Sequence, residues 1–94
     1  MGSDVETVQP KIQEIRTRLE AGLAQVDPHK RLSSAKVSYN VVSGSTLEIS
    51  FSQVARIDEA EVLGVKKLVG KECFCRVKPE SADSLLVKFV VPLI

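Results

Sequence analysis

Ninety-four residues make one domain, large enough to bury a core without a metal or a disulfide to staple it. Thirteen Lys and Arg against twelve Asp and Glu leave a formal charge of +1, which argues against a nucleic-acid binder held by charge. No apolar run approaches the roughly 18 residues of a membrane-spanning helix, and no secretory signal pattern opens the chain. Met1-Gly2-Ser3 reads as a cloning remnant ahead of a single α+β domain over residues 4–94, so that a membrane anchor further upstream is compatible with this chain.

The first segment carries Val5, Val8, Ile12, Ile15, Leu19, Leu23 and Val26 at alternating gaps of three and four. That spacing lines one stripe of a helix and, through Leu19, matches the end of a coiled coil. Gly22 interrupts the next seam position. Pro10 fits a first turn better than an interior, which sets the firm helix at about residues 8–26. Asp27-Pro28 stops it, because the residue before proline is pushed out of helical geometry.

From Ser34 to Ser52 the apolar period becomes two. Val37, Tyr39 and Val41 alternate with polar residues, as do Leu47, Ile49 and Phe51, and Ser43-Gly44-Ser45 supplies a turn between them. Pairing Val41 with Leu47, Tyr39 with Ile49 and Val37 with Phe51 puts all six on one face. A slip of one residue breaks that face, so the register is specified.

The next signal is a helix start. Asp58 can cap free amides, Glu61 can reach back to the Asp58 amide, and Ile57 and Val62 can close a hydrophobic staple. The spacing predicts a helix from Glu59 to about Val69, with Val62, Val65, Leu68 and Val69 inward and Gly70 as a left-handed exit. Lys66 and Lys67 suit its carboxyl end, and Gly64 costs it roughly 1 kcal/mol relative to alanine.

A second hairpin mirrors the first. Cys73, Cys75 and Val77 form one inward row, and Leu85, Val87, Phe89 and Val91 another. Residues 78–84, with Pro79, read as the loop. The expected register sets Val77 opposite Leu85 and Cys73 opposite Phe89. Pro92 ends the last strand.

The order helix, strand, strand, helix, strand, strand is most simply satisfied by one four-stranded antiparallel sheet with both helices on one face. A right-handed crossover that skips one position gives the spatial order 3-4-2-1, with the apolar strand Leu85 to Val91 inside. This is a circularly permuted ferredoxin-like α+β fold. The uncovered face is polar on the first hairpin, with Lys36, Ser38, Asn40, Glu48 and Ser50. On the second it is mixed. Phe74, Leu86 and Val90 stand beside Arg76 and Lys88, and an apolar cluster without a roof points to a partner. Strand three is an edge guarded by Arg76, Lys78 and Pro79.

No enzyme chemistry is legible. His29 lies in a loop signal with no nucleophile in sequence context, and Asp58, Glu59 and Glu61 are accounted for by capping and the helix dipole. The glycines form no phosphate-binding loop. Cys73 and Cys75 sit two apart in a strand, near the upper limit of disulfide geometry and without metal-ligand neighbours. No metal, cofactor or small-molecule substrate is expected. Lys30-Arg31 with Lys36, and Lys66-Lys67 with Lys71, are the basic groups that could touch phosphate, but base stacking would find only Phe74 on the open face.

Two resemblances stand beside this reading. Asn40-Val41-Val42-Ser43-Gly44 resembles the Gln-Val-Val-Ala-Gly hairpin of cystatin-type cysteine-protease inhibitors, with Asn40 in place of Gln. Pro10-Lys11-Ile12-Gln13-Glu14-Ile15 is similar to the helix of intracellular cystatins. The resemblance implies inhibition of a papain-type protease. The element order also resembles the small domains of bacterial type II secretion and type IV pilus assembly platforms, which implies a dimerising scaffold. Of these, the expectation adopted is a non-enzymatic protein–protein interaction or dimerisation module. Its expected partner contacts are Phe74, Arg76, Leu86, Lys88 and Val90, and protease inhibition and weak RNA binding are the alternatives.

Overall fold

The computed structural model describes residues 3–70 and 72–93, with side chains from Pro10 onward. Met1, Gly2, the side chains of Val5 and Val8, and Lys71 lie outside the described residues.

Helix α1 spans Ser3–Val26. It begins earlier than the sequence suggested and takes Pro10 inside. Proline's fixed φ is itself helical, so the ring forfeits one hydrogen bond without ending the helix. Ile12, Ile15 and Leu19 are buried, and Leu23 and Val26 pack against the core. The helix stops where Asp27-Pro28 predicts. There the Asp27 carboxylate gathers the backbone that follows. Oδ1 accepts from the Arg31 amide at 3.0 Å, and Oδ2 accepts from the amides of Leu32 and Ser33 at 3.0 and 2.7 Å and from the Ser33 hydroxyl at 2.7 Å. This turn seats Leu32 in the core with no exposed surface.

Strands β1 (Lys36–Val42) and β2 (Thr46–Val54) form the first hairpin in the expected register, with Val41 opposite Leu47, Tyr39 opposite Ile49 and Val37 opposite Phe51. An extra residue bulges from β2 between Phe51 and Val54, and Gln53 takes a positive φ of 61° there. The Glu80 carboxylate ties down that bulge, accepting from the Ser52 hydroxyl and the Gln53 amide, both at 2.7 Å.

Helix α2 spans Glu59–Val69, as predicted. The expected capping box forms between Asp58 and Glu61, with the Asp58 amide donating to Glu61 Oε1 at 2.9 Å. The Asp58 carboxylate also accepts from Arg31 and Arg56. Gly70 leaves the helix at φ 136°, ψ 137°, outside the left-handed helical region the sequence suggested. That positive φ suits glycine, and a turn follows in which the Cys73 amide donates to the Gly70 carbonyl at 3.3 Å.

Strands β3 (Phe74–Ser81) and β4 (Ser84–Pro92) make the second hairpin. Its register differs from the expectation by two residues. Val77 pairs with Val87, and Cys75 with Phe89. Residues 78–81 belong to the strand, and the turn is only Ala82-Asp83. Pro79 is tolerated because β3 is an edge and a bulge follows between Pro79 and Ser81. A two-residue shift preserves the alternation of faces, so Cys75, Leu85, Val87, Phe89 and Val91 stay on the core side. Val77 and Val41, expected inward, are instead 45% and 37% exposed, because each sits on an edge strand past the reach of the helices.

The sheet order is β1-β2-β4-β3, antiparallel throughout. Both helices contribute to one core with Leu47, Ile49, Phe51, Val87, Phe89 and Val91. Phe51 and Phe89 meet edge to face there, with centroids 5.8 Å apart. The helices themselves approach closely through their glycines. A methyl on Gly64 would sit 2.5 Å from Val26 Cβ, and one on Gly22 would sit 2.5 Å from Leu68 Cδ2. The residues that weakened each helix in isolation are those that let the pair touch.

Candidate interaction surface

The other face of the sheet has no helix over it among the described residues. Strand pairing brings the five expected contact residues together on that face. Phe74 stands opposite Val90, Arg76 opposite Lys88, and Lys78 opposite Leu86. Phe74 is 67% exposed, the most exposed of the large apolar side chains among the described residues, while Leu86 and Val90 are half-buried. The other three aromatics, Tyr39, Phe51 and Phe89, belong to the helix-covered face.

The cations on this face differ. Lys88 Nζ lies 3.5 Å from Glu48 Oε1, so its charge is answered within the sheet. Arg76 is exposed and makes no ion pair among the described residues. The arrangement therefore offers an aromatic ring and two aliphatic side chains beside one unanswered guanidinium. It can bury an apolar group and bind a carboxylate bidentately.

The basic group Lys30-Arg31-Lys36 does not form as a surface patch. Arg31 turns inward, where Nη1 donates to Asp58 Oδ2 at 2.9 Å and to Glu61 Oε1 at 3.0 Å. Glu61 is 2% exposed and its Oε2 has no hydrogen-bond partner. Burial would raise the Asp27 carboxyl, but hydrogen bonds from the Ser33 amide and hydroxyl, with that of the Arg31 amide, hold it below the ordinary carboxylate range. The hydrogen bond from Arg31 likewise lowers the Asp58 carboxyl. This cluster is a structural knot between the α1–β1 loop and the start of α2. The sequence hid it, because Arg31 and Glu61 are thirty residues apart.

Grooves flank α1. One, about 680 Å³, runs between α1, the end of α2 and β4, and is lined by Lys11, Ile15, Arg18, Gly70, Cys73 and Pro92. Burial pushes the thiols of both Cys73 and Cys75 up, and both are free, so neither is a ready nucleophile. Another, about 320 Å³, lies between α1 and β1, with Arg16, Glu20, Leu23, Val37 and Tyr39 around it. His29 is exposed in its turn. Among the described residues no group of three or more metal-ligating side chains comes together, and no helix is long and apolar enough to cross a membrane.

No known protein family, curated protein or solved structure matches this chain.

Proposed function

We propose that this protein is a protein-binding module whose uncovered sheet face receives a partner. The exposure of Phe74 beside Val90, with Leu86 further along the same face of β4, carries this reading, because a helix-free sheet face gains most from covering its large apolar side chains. Phe74 and Val90, paired across the strands, supply one apolar area and Leu86 a second, and Arg76 in the row between them selects a carboxylate. Lys88, held by Glu48, sets the polar margin. Chemistry plays no part in this role.

The test compares the wild type with the double variant Phe74→Ser, Leu86→Ser, each immobilised and each examined by sedimentation. Specific proteins retained by the wild type and lost from the variant are the expected result. Identical retention on both columns, together with identical sedimentation, overturns the reading. Both residues lie off the core, so the variant keeps its fold, and circular dichroism verifies that.

A further inference from the structure

The two edges of the sheet are not alike. β3 carries Arg76, Lys78 and Pro79 and ends in a bulge, the usual defences of an edge against uncontrolled pairing. β1 reads Lys-Val-Ser-Tyr-Asn-Val-Val over Lys36–Val42, with no proline and no bulge in its pairing with β2. Its only charge is at one end. Val41 and Val42 are exposed, each at 37%, and they point to opposite faces. The β-branched and aromatic content is that of a strand built to pair on both sides.

The space beside that edge is shaped as well. The α1–β1 groove sits where the alternate side chains of an added strand would descend, between Leu23 on the helix and Val37 and Tyr39 on the strand. Its rim carries Arg16 and Glu20, one helical turn apart and 3.4 Å from each other. Arg16 also lies over the Tyr39 ring, 5.1 Å from its centroid.

We infer that β1 is a homodimerisation edge, pairing antiparallel with β1 of a second copy. The charge pattern selects this occupant. A two-fold axis reverses the order of Arg16 and Glu20, so each Arg16 meets Glu20 of the other copy and the rim is complementary to itself. The product is a continuous eight-stranded sheet whose only remaining edges are the two guarded β3 strands. It buries Val41, Leu23 and the open side of Tyr39, and it pairs the free amides and carbonyls of β1. The open face bearing Phe74 stays accessible, so this inference is independent of the proposed function.

Sedimentation equilibrium and amide hydrogen exchange at low and high protein concentration test it. The expected result is a monomer–dimer equilibrium in which the β1 amides gain protection as concentration rises. The Val41→Lys, Val42→Lys variant places lysines across the seam and raises the dissociation constant on the order of tenfold or more. Both positions are exposed in the monomer, so its melting temperature at low concentration stays near that of the wild type. Arg16→Glu alone weakens the dimer, and Arg16→Glu with Glu20→Arg restores it. A strict monomer overturns the inference, even one that accepts an added peptide strand. So does a dimer indifferent to lysines at 41 and 42. A dimer abolished by Phe74→Ser, Leu86→Ser without β1 protection also overturns it and seats the second copy on the open face instead.

Discussion

Glu61 concentrates the residue-scale lesson. Its sequence context explains it fully as the N3 partner of a capping box, and the Asp58 amide does donate to it. The folded chain adds Arg31 from the far side of the first hairpin and buries the Glu61 carboxylate beneath it. Glu61→Ala leaves an arginine and an amide short of an acceptor in a buried setting, and is expected to cost about 2–4 kcal/mol in chemical denaturation. Glu61→Gln keeps the accepting oxygen and places an amide nitrogen at the atom that now lacks a partner. It should retain most of that stability, and equal losses for the two variants would refute the account. Cysteine reactivity is a second residue-scale matter. Cys73 is 2% exposed, and burial raises the pKa of both thiols. Alkylation at neutral pH should therefore be slow in the native state and become fast in denaturant, with Cys73 the slower of the two native thiols.

At the scale of elements, the helix pair depends on what its glycines lack. Isolated-helix propensity favours alanine over glycine by about 1 kcal/mol at both positions. At Gly64 the added methyl meets Val26 Cβ, which is anchored to the α1 backbone, so the helices must part. Overpacking of that kind costs roughly 1–3 kcal/mol, which exceeds the propensity gain. At Gly22 the obstacle is the end of the Leu68 side chain, which can rotate away. Thermal melting should show Gly64→Ala destabilised and Gly22→Ala close to neutral. Similar losses at both sites would mean that the helix contact is looser than described. The strands carry a comparable lesson. Both hairpins alternate correctly, yet the register of the second was misread by two residues, because Pro79 suggested a loop and an edge strand can accommodate it.

For the whole molecule, acid is the informative perturbant. Asp27, Asp58 and Glu80 are all held below their ordinary values, Asp27 against burial by its hydrogen bonds from Ser33, Asp58 by Arg31 and Glu80 by Ser52. A carboxyl whose folded-state pKa is lowered contributes stability that is complete above its unfolded value of about 4. That contribution falls away as pH drops through the folded value. The melting temperature should accordingly be level from neutral pH down to mildly acidic conditions and decline below about pH 4. Asp27→Asn should flatten part of that decline, since Asp27 is the buried member of the set. A melting temperature that rises on acidification would contradict the network.

The alternation of apolar residues and the caps by themselves determined the element order, the strand faces and the sheet topology. These follow from local geometry, in which a period of two or of about 3.6 assigns every side chain a side. The five open-face residues were legible for the same reason, since they are what remains when the inward rows are removed. Three things were decided only by tertiary structure. Arg31 became part of a buried knot instead of a phosphate-facing patch, the two glycines became contact points, and β1 acquired a groove against α1. Each depends on groups far apart in the chain meeting at distances of a few ångströms, and no periodicity in a single segment encodes that meeting.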